Sequence, residues 1–176
     1  MIAIPTLETE RLVLRAWRPQ DAPPFAEICA DAELMRFVGG VMDQTEAWRR
    51  MATYTGHWLL RGYGSFAVEH KANREFVGYC GIYDPDGWPE REINWGLRRA
   101  FLGMGLVTEA AARVRRYAYE TLGFPTIASC IDLENTPSVA VARRLSARLD
   151  RTVQFRGKAM GVFRHLAPED IANRKL

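Results

Sequence analysis

The chain has 176 residues, of which 48% are hydrophobic and 26% charged, with a formal net charge of +3. This length permits one well-buried core and is too short for two ordinary domains, so we expect a single domain over residues 1–176, with its core at about 8–168 and a short C-terminal tail. The modest net charge argues against a nucleic-acid partner, and apolar runs well short of roughly 18 residues argue against a membrane span. The start of the sequence lacks the basic and apolar regions of a signal peptide, so a cytoplasmic location is expected.

The first part of the chain predicts one strand and two helices. Residues 10–17 alternate apolar and mostly basic side chains with period two, which is typical of a half-buried strand. Asp21 is the predicted N-cap of a helix that runs to about Ala30, with prolines in the first turn, where no intrahelical amide is lost. A capping-box pattern at Asp43 and Glu46 opens a second helix that ends at Gly62.

The remaining elements follow from changes of period along the chain. Strands are predicted at 65–69, 76–83 and 92–97, and the short turn-rich links between them indicate an antiparallel meander. The later segments are a helix at 107–122, a strand at 126–131, a helix from the cap Thr136 to about 148, and strands at 151–155 and 162–166. The predicted order is β-α-α-β-β-β-α-β-α-β-β.

A strand meets a helix through two glycines, Gly103 and Gly105. Glycine permits positive φ and close approach of a ligand to the backbone, and the first turn of a helix offers unpaired N–H groups. This pattern indicates a phosphate site made of main-chain amides, where Thr108 adds a hydroxyl or caps the helix. Taken alone, the turn also fits a tight connection with no ligand. The glycine patterns of dinucleotide-binding and P-loop proteins do not occur.

The run GMGLVTEA at 103–110 resembles the acetyl-CoA-binding motif of the GNAT superfamily, especially its ribosomal-protein N-terminal (RimJ/RimL-type) acetyltransferase branch. Segments 9–15, 76–82 and 92–97 resemble the opening, third and fourth strands of that family, and 134–138 resembles its E-N-x-x-S signature. The resemblance implies a mixed α/β (α+β) fold with a central, twisted, mostly antiparallel sheet of about seven strands flanked by helices. Leu102 and Val107 depart from the family's usual residues.

The resemblance also implies the donor, acetyl-CoA. Backbone groups of the fourth strand would pair with the pantetheine arm, in a V-shaped slot opened by a bulge at Gly96. Asn135 would bond to the arm from the other side, unless it is an ordinary turn residue before a helix. The implied cofactor-binding residues are Trp95, Leu97, Leu102, Gly103, Met104, Gly105, Leu106, Val107, Thr108, Asn135 and Ser138.

For catalysis, the resemblance implies direct transfer to a primary amine without a covalent enzyme intermediate. Glu92 is the first choice as general base and Glu69 the second, although either could be a structural carboxylate. A backbone N–H near Trp95 would stabilise the oxyanion, and Ser138 would serve as the acid or hydrogen-bond to the sulfur. The alternative is a non-catalytic acyl-CoA-binding or sensing module of the same fold.

The acceptor is expected to be a protein N-terminus or a small-molecule amine. Met35, Phe37, Trp88 and Phe163 are candidate acceptor contacts, and Arg143 or Arg144 is a candidate for the 3'-phosphate of CoA. The three cysteines are widely separated and form no metal-ligand pattern with the histidines, so we expect neither a disulfide nor a metal. A monomer or a homodimer is expected.

Overall fold

The computed structural model describes residues 3–167 and residue 170. The strands are β1 (Leu7–Glu8), β2 (Leu12–Arg15), β3 (Ser65–His70), β4 (Phe76–Tyr83), β5 (Glu92–Leu97), β6 (Ala128–Asp132), β7 (Arg148–Phe155) and β8 (Lys158–Arg164). The helices are α1 (Ala22–Ala30), α2 (Ala32–Met35), α3 (Gln44–Arg61), α4 (Leu106–Arg116) and α5 (Thr136–Arg144), and a π-helical turn (Tyr117–Thr121) extends α4. The strands form one sheet in the order β1-β2-β3-β4-β5-β6-β8-β7.

The predicted mostly antiparallel sheet flanked by helices is confirmed. Every neighbouring pair is antiparallel except β5 and β6. The described residues contain eight strands rather than about seven, because the two-residue β1 also pairs with β2. The predicted C-terminal tail lies outside the described residues, apart from Asp170.

Helix α5 ends four residues earlier than predicted. Ser146 adopts a left-handed conformation with φ of 61°. The amide of Ala147 then donates to the Ala142 carbonyl, and the amide of Ser146 donates to the Arg143 carbonyl. This is the hydrogen-bond pattern of a Schellman-type helix end, and it releases Arg148 to begin β7.

Asp21 is the N-cap residue of α1, as predicted, but its side chain makes no capping hydrogen bond, because its carboxylate is used in a buried ion pair. Arg15 is only 6% exposed, and its two terminal nitrogens donate to the two oxygens of Asp21 at 2.8 and 2.9 Å. The backbone amide of Arg18 donates to the same carboxylate. Strand β2 is therefore buried on both faces near α1, instead of half-buried as its alternating pattern indicated.

Helices cover both faces of the sheet. Leu106 and Val114 of α4 pack with Phe66 of β3 on one face. On the other face, Phe25 of α1 and Tyr54 of α3 pack with neighbouring sheet residues. None of the described helices combines the length and apolarity that crossing a membrane requires. Ile93 and Leu97 of β5 pack in the first of these two layers, and the candidate site lies along β5.

Candidate active site

Strands β5 and β6 separate to form a slot, which we define as the space between them beyond their single pairing at Glu92 and Ala128. The register of β5 with β4 is unbroken from Tyr83↔Glu92 to Gly78↔Leu97, so the predicted bulge at Gly96 is wrong. Position 96 requires glycine for a different reason, because a Cβ atom there would lie 2.5 Å from the Tyr79 ring. The slot opens along the other edge of β5.

A side-chain contact holds the closed end of the slot. The Ser129 hydroxyl donates to the carbonyl of Ile93 at 2.8 Å and lies 3.0 Å from Nε2 of His165. Burial lowers the pKa of His165 to about 3, so this imidazole is neutral. Because the serine proton is already given to Ile93, Nε2 of His165 must be the donor in the second bond. The pair is therefore arranged as a structural link and not as a nucleophile with its base.

The free edge of β5 presents backbone groups to the slot. The Ile93 carbonyl points toward β6, where it receives the Ser129 hydroxyl, and alternate residues of a strand direct their backbone groups to the same side. The amide of Arg98 donates to Val77 of β4, as this alternation requires. The N–H groups of Trp95 and Leu97 therefore face the slot, where the described sheet provides no strand partner.

The slot opens into a cavity of about 620 Å³ that is lined by four of the predicted site residues, Glu92, Trp95, Asn135 and Ser138. Glu92 is buried and accepts a hydrogen bond from the Cys130 amide at 2.8 Å. Burial raises the pKa of the Glu92 carboxyl to about 8, although the Cys130 amide opposes the rise. A carboxyl with this pKa can accept a proton near neutral pH.

Asn135 and Ser138 lie at the start of α5, on the opposite side of the slot from β5. Asn135, rather than Thr136, is the N-cap of this helix, and its side-chain oxygen accepts from the Ser138 amide at 3.2 Å. Its NH₂ group keeps its donors for another partner. The Trp95 indole donates to the Ser138 hydroxyl at 3.4 Å, so the hydroxyl proton of Ser138 also stays free to be donated.

The loop between β5 and α4 presents unpaired amides. Gly103 and Gly105 have φ of 75° and 76°, and Gly105 is the N-cap of α4. The N–H groups from Gly103 to Thr108 have no acceptor in the part of the chain that the structure describes. Unpaired N–H groups at the start of a helix can bind an anion. Leu97 and residues 102–108 do not line the cavity.

A family model described as an acetyltransferase (GNAT) domain matches residues 11–148, which is most of the chain. The chain belongs to the GNAT acetyltransferase family. This match extends from β2 to the start of β7 and includes the loop, the slot and α5.

Individual relatives agree with the family assignment. A protein of Bacillus licheniformis described as an uncharacterised N-acetyltransferase, p20, is 29% identical over 160 residues, which is 89% of each chain. The crystal structure of an acetyltransferase from Agrobacterium tumefaciens str. C58 has 32% identity and a TM-score of 0.86, covering 95% of this chain and 97% of that one. RimL, a ribosomal alpha-N-protein acetyltransferase solved with coenzyme A, shares the fold at 18% identity, a TM-score of 0.75, and coverage of 92% and 98%.

Some predicted residues lie elsewhere in this GNAT domain. Glu69 binds three guanidinium groups, including Arg15 at 2.8 Å, and borders a separate pocket on the far part of the sheet. Met35 and Phe163 are buried and do not line the cavity, whereas Phe37 and Trp88 do. No group of His, Cys, Asp and Glu side chains in the described ranges could hold a metal ion.

A contact that no sequence pattern indicated holds the amide-lined loop of the GNAT domain. Arg11 donates from Nη1 to the Met104 carbonyl at 3.0 Å and from Nε to Glu109 at 2.7 Å. The Thr9 hydroxyl donates to the same carboxylate. Although burial alone would raise the pKa of Glu109, these hydrogen bonds lower it. The start of the chain thereby fixes both the loop and the first turn of α4.

Replacing Arg11 with glutamine should lower the free energy of unfolding by about 1 kcal/mol and weaken CoA binding several-fold, because the Met104 carbonyl is released. Urea unfolding and titration calorimetry with CoA measure the two effects. Glu109→Gln is the matched control, since it removes the same ion pair but leaves the bond from Arg11 to Met104. Equal losses of CoA affinity in both variants would contradict a specific role for that bond.

Proposed function

We propose that this chain is an acetyl-CoA-dependent N-acetyltransferase that passes the acetyl group directly to a primary amine. The observation that carries the proposal is a cavity lined by Glu92, a buried carboxyl of raised pKa, and by Trp95, whose unpaired amide lies on the same strand as Glu92. Members of the GNAT family use acetyl-CoA, which is why we propose it as the donor. The residues that line the cavity would supply the base and the hydrogen-bond donors for the reaction.

The chain's own groups suit each part of the donor. The unpaired amides of residues 103–108 match the negative charge of a pyrophosphate. The free edge of β5 at Trp95 and Leu97 suits an extended amide-containing arm, which would bind as an added strand does. Asn135, at the start of α5, lines the cavity, and its NH₂ group would donate to the arm from the other side. When bound, the donor would supply a reactive acetyl thioester at the cavity.

Glu92 is the proposed general base. An attacking amine must lose a proton, and a carboxylate whose pKa is about 8 holds that proton more firmly than an exposed one would. Direct attack needs no enzyme nucleophile, and the Ser129–His165 pair is oriented against that role.

Trp95 and Ser138 are the proposed stabilisers of charge. The unpaired amide of Trp95 can donate to the carbonyl oxygen as negative charge develops on it. Ser138 accepts from the Trp95 indole, which strengthens its own hydroxyl as a donor toward a leaving sulfur. A serine hydroxyl is a weak acid, so hydrogen bonding to the sulfur is the role we assign to it.

The test is release of free thiol from acetyl-CoA during incubation with a broad panel of amines, including ribosomal-type N-terminal peptides. We expect turnover with at least one class of acceptor. Thermal unfolding with CoA provides a separate measure of binding, since ligand at 100 times its Kd should stabilise by about 2.7 kcal/mol. Binding without turnover for every acceptor would instead favour an acyl-CoA sensor, and no binding would refute both functions.

A further inference from the structure

The cavity carries more cations than carboxylates. The charged residues of its lining are Arg36, Arg50, Glu92, Asp132, Arg156 and Lys158. Lys158 and Asp132 lie 3.7 Å apart and offset each other. Glu92, the other carboxylate of the lining, accepts a hydrogen bond from the Cys130 amide and forms no ion pair with any arginine among the described residues. The uncompensated charge of the cavity is therefore that of three arginines.

These three guanidinium groups have no carboxylate partner among the described residues, unlike Arg11, Arg15 or Arg99. The Arg50 guanidinium donates to the Val38 carbonyl at 3.1 Å and keeps its other donors. Arg36 and Arg156 lie over aromatic rings, Arg156 at 5.0 Å from the Phe155 centroid and 5.5 Å from that of Trp88. Such contacts orient a guanidinium and leave its edge available.

A continuous aromatic wall accompanies these charges. Tyr54 contacts Tyr79 and Tyr83 at centroid distances of 5.3 and 5.5 Å, and Tyr83 contacts Trp88 at 5.1 Å. Burial raises the pKa of Tyr79 to about 12, with the nearby charge of Arg50 opposing the rise. The phenols therefore stay neutral, so they add apolar surface and hydrogen-bond donors to the cavity without adding negative charge.

We propose that the acceptor is an amine that also carries a carboxylate, which Arg50 binds with help from Arg36 and Arg156, while the aromatic wall packs against an apolar part of the molecule. This inference rests on the proposed function. A guanidinium and a carboxylate can form two parallel hydrogen bonds, and Arg50 keeps donors for such a pair. A polycationic acceptor, such as an aminoglycoside or a polyamine, would meet repulsion at the same place.

The experiment compares acceptors that differ only in the carboxylate. Free phenylalanine and leucine are paired with their amides, and peptides with aspartate at the second position are paired with asparagine peptides, so that both sources of a carboxylate are tested. For each pair of compounds that is acetylated, we expect kcat/KM to be at least 10-fold higher for the acid than for the amide. Spermidine and kanamycin should be poorer acceptors than either member. Higher rates for the amides, or for the polycations, would overturn the proposal.

Variants of α3 separate recognition from intrinsic amine reactivity. Arg50→Gln should lower the acid-to-amide ratio of kcat/KM about 10-fold, whereas Arg50→Lys should restore part of it because it keeps the charge. Arg49→Gln is the control, because Arg49 is exposed on the same helix and does not line the cavity. It should leave the ratio unchanged. An equal ratio in Arg50→Gln and the wild type would contradict the assignment.

If no amine is acetylated, the proposed function is refuted, but the inference about the carboxylate can still be tested by measuring product binding. In calorimetry on the CoA-bound protein, N-acetylphenylalanine should bind at least 10-fold more tightly than its amide, and Arg50→Gln should remove the difference. Equal affinities of the acid and the amide would overturn the inference whether or not turnover is found.

Discussion

Replacing Glu92 with glutamine is expected to lower kcat by about 10²–10⁴-fold while leaving CoA affinity unchanged. This is the range that a positioned general base contributes, and glutamine cannot accept the proton of the attacking amine. The glutamine oxygen can still accept the Cys130 amide that now binds the carboxyl, so the cavity should keep its shape. Steady-state rates with a productive amine and calorimetry with CoA measure the two quantities. A rate within a few-fold of the wild type would remove Glu92 from the mechanism.

The pH profile gives an independent check on Glu92. Only the ionised carboxylate is a base, so the ratio of wild-type to Glu92→Gln rates should rise about tenfold per pH unit below pH 8 and level off above it. Titration of the amine cancels in this ratio, because both enzymes use the same acceptor. A ratio that does not change with pH would mean that the two enzymes differ for a reason other than proton transfer to Glu92.

Stability should move in the opposite direction to activity in the same variant. The pKa of Glu92 is raised from 4.5 to about 8 in the folded protein, so its favourable contribution is complete below pH 4.5 and is lost as the pH rises through 8. Glutamine does not ionise, so the variant does not lose this stability as the pH rises. Glu92→Gln should therefore be more stable than the wild type by at most about 5 kcal/mol above pH 8, and by little near pH 4.5. Urea unfolding at the two pH values measures the difference.

The parts of the site that were predictable from sequence are those made by local backbone signals. The limits of β4 and β5 match their predicted limits, because their apolar runs are bounded by turn residues. Gly103 and Gly105 have the positive φ that glycine suggested, and α4 begins directly after them. Asn135 and Ser138 share one helix start, so their proximity followed from spacing alone.

Contacts between segments that are distant in the sequence could not be predicted from local sequence patterns. Arg15 belonged to the polar face of β2 by its period, and its buried ion pair with Glu69, 54 positions away, follows only from the pairing of β2 with β3. Arg11 and Glu109 are 98 positions apart, and nothing in either segment indicates the other. Long-range ion pairs depend on packing, and packing is decided by the whole core.

The aromatic wall of the cavity is an intermediate case. Arg50 and Tyr54 are four residues apart on α3, and Tyr79 and Tyr83 share one face of β4, so each pair was visible as a periodic signal. The contact between Tyr54 and Tyr79 could not be predicted from the sequence, because it requires α3 to lie across that face of the sheet. The proposed acceptor side of the site is therefore less predictable from sequence than the proposed pyrophosphate loop, whose groups come from consecutive residues.

Replacing Gly105 with aspartate is expected to weaken CoA binding by at least 100-fold. Gly105 precedes the first turn of α4 with φ of 76° and ψ of 2°, so any Cβ strains the backbone by about 1–2 kcal/mol. Aspartate adds a second effect, since its carboxylate would lie beside the unpaired amides and repel a phosphate there. A Cβ at this position would also lie 3.7 Å from Nη2 of Arg11, which would attract the new carboxylate.

Gly105→Asn separates charge from strain in this experiment. Asparagine has nearly the same shape as aspartate and tolerates left-handed backbone, so it should weaken CoA binding only about 10-fold. Aspartate at a helix start interacts favourably with the helix dipole, so Gly105→Asp should unfold at a temperature no lower than Gly105→Asn. Calorimetry with CoA at two salt concentrations should show the Asp–Asn difference shrinking as salt rises. Equal affinities of the two variants for CoA would contradict a phosphate against this loop, because a phosphate there would be repelled by the carboxylate of aspartate and not by the amide of asparagine.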